Sequence, residues 1–207
     1  AVNRGEKMFV VEQKTELYNF FVDIDFKSDS ALGIDEIRDI CKIICVKVKS
    51  YNGKDCLISV AHPKKVGDKV KTGIHLNWPG LVVNQKSAIA LRDHILVALY
   101  TTKPSVDWDT VIDSAVYGDL TRGSKGSGFR MPFSYKKAKH DKCSAKGCEE
   151  CNGEGRITQT SYYLPLFIYK YGPLNAMLSI DQTPTVEIMR MATVRTNATE
   201  FYEVNSP

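Results

Sequence analysis

The sequence predicts an α+β fold built on a mixed sheet, and three observations lead there. Several runs are apolar or alternate in the manner of strands. Two longer runs repeat their apolar residues at intervals of three and four. No internal repeat or regular strand–helix alternation runs through the chain. Its 207 residues suffice for one substantial core, and no composition break divides them, so residues 1–207 are expected to form a single domain.

The elements follow in order. "MFVVEQ" and "LYNFFVDIDF" read as strands joined by a turn at "KTE". The spacing of Ile34, Ile37, Ile40, Cys41, Ile44, Cys45 and Val48 predicts a helix over about 34–49. Asn52-Gly53 is a turn signal before the strand "CLISVA". The lysine-rich "HPKKVGDKVK" leads into "TGIHLNWPGLVV", a strand expected to be interrupted or ended at Trp78-Pro79-Gly80. "NQKSAIALRDHILVALY" repeats as a helix with Asn84 as its cap. "WDTVIDSAVY" leaves helix and short strand both open. The glycines of "GDLTRGSKGSGFRMPFSYKK" predict a loop that runs into an apolar strand. "SYYLPLFIYKY" and "TVEIMRMATVR" complete the expected strands.

Composition is ordinary for a globular chain, with 43% hydrophobic and 25% charged residues. No apolar run approaches the ~20 residues that span a bilayer, so no membrane partner is expected. No leader is visible, and a start on Ala1 is what a piece of a longer protein would show. The net charge of +4 is unevenly placed: Arg122 to Lys142 holds seven basic residues against Asp141 alone. A basic stripe on a near-neutral body points to a polyanionic partner. Cys41 and Cys45, at helical spacing beside isoleucines, read as small core residues, Cys56 falls in an expected strand, and cysteine usage as a whole fits a reducing, intracellular compartment.

Asp23 and Asp25 lie two apart on an apolar strand, so both carboxylates point to one side. Two carboxylates that close repel unless something positive sits between them, and hard divalent cations favour such oxygens. Asp113 is a lone acid among apolar neighbours. Alternation places Lys71, Gly73 and His75 on one face, where an ammonium, an open backbone and an imidazole can meet phosphate. Arg130 and Lys136 share a face only if their segment stays extended across Pro132. "HDKCSAKGCEEC" offers His140, Cys143, Cys148 and Cys151 as H-x2-C-x4-C-x2-C, the donor set of a tetrahedral structural zinc knuckle in an insertion at about 138–156. His140 is the ligand that Asp141 or a distant residue could replace.

Together these motifs resemble the archaeo-eukaryotic primase superfamily. Its ordered signature is a strand with DxD, a small-x-His motif and a hydrophobic residue followed by an acid. These look like "FFVDIDF", "GIH" and "VID" here, followed by Val116-Tyr117, Phe129-Arg130 and Lys136. The resemblance covers about residues 20–151 and is greatest to the primase portion of the primase-helicases of large nucleocytoplasmic DNA viruses, of the African swine fever virus and poxvirus type. Gly73 stands where many members carry serine.

The resemblance implies a mixed-sheet primase catalytic core and primer synthesis on single-stranded DNA during viral DNA replication. NTPs or dNTPs would be the substrates, and a superfamily 3 helicase would lie in the same full-length chain. It implies two Mg²⁺ or Mn²⁺ ions, about 3.5–4 Å apart, on Asp23, Asp25 and Asp113. Lys71, Gly73, His75, Arg130 and Lys136 would meet the nucleotide phosphates. A viral protein of this kind would work in the host cytoplasm or nucleus. Two other readings are a repair or tolerance polymerase of the same superfamily and a non-catalytic zinc-containing nucleic-acid-binding module. A metal-dependent nuclease would leave Arg130 and Lys136 unexplained.

Overall fold

The computed structural model describes residues 5–140, 148–149, 151 and 153–207. After a two-residue strand β1 (Val11–Glu12) comes β2 (Tyr18–Ser28), whose alternation sorts its side chains. Phe20, Val22 and Ile24 are fully buried, and Asp23 and Asp25 are on the other face. Helix α1 (Ile34–Lys49) starts where Glu36 accepts the Gly33 N–H at 2.7 Å and buries its Ile37, Ile40, Ile44 stripe. Acidic Asp35 and Glu36 in its first turn, and Lys47 and Lys49 in its last, suit the helix dipole. There follow β3 (Cys56–Ala61), β4 (Lys64–Val66), β5 (Lys69–Val83) and α2 (Gln85–Thr102). As the sequence predicts, Asn84 caps α2 by accepting the Ser87 N–H at 2.8 Å.

Next come one turn of α3 (Trp108–Val111), β6 (Phe129–Arg130), β7 (Lys136–Lys139), β8 (Arg156–Gln159), β9 (Tyr163–Lys170), β10 (Ala176–Ser179) and α4 (Val186–Ala192). The main sheet has the order β10-β9-β3-β5-β2, with β4 added alongside β5. Small two-stranded sheets pair β1 with β6 and β7 with β8.

Every named ladder among the described strands is antiparallel, which corrects the expected mixed sheet. The reason lies in the crossovers. β2 and β3, joined through α1, run the same way, but β5 inserts between them and pairs antiparallel with both. β5 and β9 likewise run the same way with β3 between them. The first pair is a split β-α-β unit, the second is joined by a longer connection that begins with α2, and in both the parallel strands do not touch.

Of the two outcomes expected at Trp78-Pro79-Gly80, the structure shows interruption and not an end: β5 continues to Val83, but its register against β2 slips between Asn19 and Phe21. The bulge absorbs Pro79, and the Asn19 side chain accepts the Gly80 N–H at 3.0 Å. "TVEIMRMATVR" is not a strand but contains α4, capped by the Thr185 hydroxyl, with Ile188 and Ala192 buried one helical turn apart. The run after Gly128 is not one strand either, because Phe133 at φ +62° turns the chain between β6 and β7.

Most of the core lies between α1, α2 and one face of the sheet. A second cluster of Leu57, Met131, Phe133, Ile188 and Ala192 covers one end of the opposite face. The rest of that face, carrying Asp23, Asp25, Lys71 and His75, opens into a cavity of about 550 Å³. Among the described residues, no helix is long and apolar enough to cross a membrane.

Candidate active site

Strand register sets the first four side chains. Asp23 lies opposite His75, Asp25 opposite Gly73, and Lys27 opposite Lys71, so acids and bases share one face. His75 Nε2 is 3.5 Å from Asp23 Oδ1, and the Lys71 ammonium pairs with Asp25.

Asp113 arrives from a distant segment by a backbone route. Ile112 bridges Ile24, and the Asp113 N–H donates to the Asp23 carbonyl at 2.9 Å. The segment is clamped from below by Arg92 of α2, which donates to the Ile112 carbonyl at 3.1 and 2.8 Å and to Asp109 at 2.8 Å. Sequence reasoning missed Arg92. Its signal was present: an arginine on the apolar stripe of α2, aligned with Ala88, Leu91, Ile95 and Leu99.

The three carboxylates line the cavity. Burial, then the charges of Asp25 and Asp113, push the Asp23 carboxyl up to about 7, while Lys71 and Arg130 oppose the shift. Asp23 Oδ1 is buried without a hydrogen-bond partner among the described residues. An orphaned carboxylate oxygen beside two further acids is a donor set that fits hard divalent cations such as Mg²⁺ or Mn²⁺.

His75 sits between two rings, 4.0 Å from the Phe129 centroid and 3.5 Å from that of Tyr163. Burial first, then Arg130 and Lys71, hold its imidazole well below the usual histidine range. What the imidazole offers the site is a hydrogen-bonding nitrogen.

Gly73 does not line the cavity. A Cβ there would come 2.8 Å from the Tyr163 hydroxyl, so the glycine makes room for Tyr163 and does not expose backbone to a ligand. Tyr163, another residue the sequence reading missed, carries the Arg130 guanidinium 4.8 Å above its ring. Arg130 also donates to the Ser161 carbonyl at 3.1 Å.

Arg130 and Lys136 reach the same cavity from two separate strands, not from one shared face. Lys137 and Arg156 join them there. Burial first, then the nearby Lys71, Lys136 and Arg130, lower the Lys64 pKa, while Asp25 opposes the shift.

The β7–β8 hairpin carries the remaining sequence-predicted ligands. Donor atoms of His140, Cys148 and Cys151 lie within 4.8 Å of one another, with His140 Nδ1 3.4 Å from Cys148 Sγ. Nitrogen and two thiols in that arrangement could hold a zinc ion. Cys143 and Asp141 lie outside the described residues. Gly153 donates its N–H to the Cys148 carbonyl at 3.3 Å and Glu154 to the Cys151 carbonyl at 2.8 Å, which ties both cysteines to the segment entering β8.

No curated protein matches the chain. A family model described as the C962R protein N-terminal AEP domain matches residues 1–139, a stretch with all three acids, Lys71, His75, Arg130 and Lys136 that ends before His140. The chain thus belongs to the archaeo-eukaryotic primase superfamily, in the family of that N-terminal domain.

Proposed function

We propose that the domain is a DNA-dependent primase-polymerase that makes primers on single-stranded DNA by two-metal nucleotidyl transfer. The observation that carries the reading is the convergence of Asp23, Asp25 and Asp113 with Lys71, Arg130 and Lys136 around one cavity. The acids would hold two divalent cations, which when bound supply charge neutralisation at the attacking and leaving oxygens.

The chain's own groups do the rest. Lys71, Arg130 and Lys136 face the triphosphate and neutralise it, and His75 keeps its ring fixed between Phe129 and Tyr163 to donate one hydrogen bond. The 3′-hydroxyl oxygen bonds to the α-phosphorus, the bond to the β-phosphate breaks, and pyrophosphate and a proton leave. Positioning and electrostatics carry most of such a rate. His140, Cys143, Cys148 and Cys151 would hold a structural zinc at the tip of the β7–β8 hairpin.

The same reading sets the domain in the DNA replication of a large DNA virus, ahead of a helicase portion, in the reducing interior of the host cell. Its support is the resemblance to the viral primase-helicases, and a full-length chain without a helicase portion would remove that part.

The test is nucleotide incorporation on unprimed single-stranded DNA, with Mg²⁺ or Mn²⁺ and with NTPs or dNTPs separately. Labelled products that depend on the divalent ion and vanish in Asp23→Asn are expected. Extension of annealed primers alone would indicate an extending polymerase of the same superfamily. No incorporation on either template would sink the reading.

A further inference from the structure

The segment that runs into β1 holds the least expected surface. "MFVVEQ" has the apolar content of a core strand, yet Phe9, Val10 and Val11 are 43%, 42% and 58% exposed. Backbone bonds fix the segment in that place: Met131 donates to the Val10 carbonyl at 3.1 Å and Tyr135 to the Met8 carbonyl at 2.8 Å. A solitary exposed ring would need no explanation. This one begins a series.

The Phe9 ring lies 6.2 Å from Tyr135, Tyr135 lies 4.8 Å from Tyr162, and Tyr162 lies 6.0 Å from the imidazole of His62. Phe9 and Tyr135 line the cavity that holds the three acids, so the strip starts at the site and runs away from it. Cations border it. Lys7 Nζ is 5.6 Å from the Tyr135 centroid, Lys137 Nζ is 5.5 Å from that of Phe9, and Arg156 lines the same cavity wall. Glu154 offsets one of them by pairing with Lys137 at 2.8 Å. Neither core cluster includes Phe9, Tyr135 or Tyr162.

Aromatic faces interleaved with basic groups along a cavity rim match the chemistry of an unpaired strand, whose bases stack while its phosphates seek cations. A duplex hides those base faces. A protein partner would give no reason for cations ranged along the rings. We propose that Phe9, Tyr135 and Tyr162 form the stacking platform for the single-stranded DNA template, with Lys7, Lys137 and Arg156 meeting its phosphates. The proposal rests on the polymerase reading above and assigns the template's path.

Phe9→Trp supplies a reporter, because the native Trp78 and Trp108 are both fully buried. In the zinc-loaded protein, without nucleotide or added Mg²⁺ or Mn²⁺, single-stranded DNA of mixed sequence should quench the new tryptophan. The same sequence as duplex should not. In anisotropy titrations, Phe9→Ala/Tyr162→Ala should bind single-stranded DNA about tenfold more weakly. Tyr171→Ala, an exposed ring elsewhere, should bind as the parent does. The double variant should also need about tenfold more template for half-maximal incorporation.

Equal quenching by duplex, tighter binding of single-stranded RNA, or parent-like affinity of the double variant overturns the platform and leaves the polymerase reading standing. Quenching by single-stranded DNA in a protein that incorporates nothing on any template removes the template role and the polymerase reading together.

Discussion

Asp113 donates its backbone N–H to the carbonyl oxygen of Asp23 at 2.9 Å, although the two lie in elements far apart in the chain. That bond, with the Ile24–Ile112 bridge beside it, brings the third carboxylate to the first two. It makes the site a property of the fold and not of any one segment.

Asp23 should report the site's electrostatics through pH. Its folded carboxyl titrates near 7, above the ordinary carboxylate value, so the folded state holds a proton that the unfolded chain releases. In metal-free protein this group therefore costs stability increasingly as pH rises from about 4 to about 7. Asp23→Asn should unfold at higher denaturant than the parent at pH 7 and show a smaller loss across that window. Mg²⁺ or Mn²⁺ should stabilise the parent and not the variant. A parent and variant with parallel pH profiles would contradict the burial of Asp23 beside two further acids. Incorporation by the variant should fall at least a hundredfold.

Arg92 acts through Asp113. Arg92→Met removes the donors to the Ile112 and Asp109 carbonyls and should cost about 2 kcal/mol in denaturant unfolding. If Arg92 positions Asp113, kcat for incorporation should drop while KM for the nucleotide stays near the parent's. A variant that is destabilised but has unchanged kcat would reduce Arg92 to a packing role.

Gly73 and Tyr163 should be coupled. Gly73→Ala forces the Tyr163 hydroxyl away from a position 2.8 Å from the new Cβ and should destabilise by about 1–3 kcal/mol. Without that hydroxyl the nearest ring atom is 3.4 Å off, so Tyr163→Phe should recover most of the loss. A double-mutant cycle measures this, and additive effects would mean that the contact does not decide the residue at position 73.

The metal content of the hairpin is directly measurable. One zinc per chain is expected, and Cys148→Ser or Cys151→Ser should lose it. Chelation should expose the β7–β8 ribbon to protease while the main sheet stays folded, because the ribbon is a separate sheet. Metal analysis that finds no zinc in freshly purified protein would remove the knuckle.

Much of the site was legible in the sequence because its pieces obey local periodicities. Alternation alone puts Asp23 with Asp25 and Lys71 with His75, and the observed register shows both pairs on one face. Asn84 announced its cap, and the spacing of histidine and cysteines announced a cluster. Arg92 and Tyr163 went unread for different reasons. The first looked like a charged helix residue until its partners in a later segment were known, and the second sat in an ordinary apolar strand. The α4 segment misled because its isoleucine and methionines suit either period, and only burial of Ile188 with Ala192 chooses the helix.

What the chain determines by itself is therefore short-ranged: which side chains share a strand face, where helices α1 and α2 begin, and which donors crowd into one loop. Those follow from backbone geometry over a few residues. Which strands become neighbours depends instead on burying both faces of the sheet at once. Only the insertion of β5 between β2 and β3, the docking of Ile112 against Ile24 and the packing of His75 between Phe129 and Tyr163 turned separate acids and bases into one cavity.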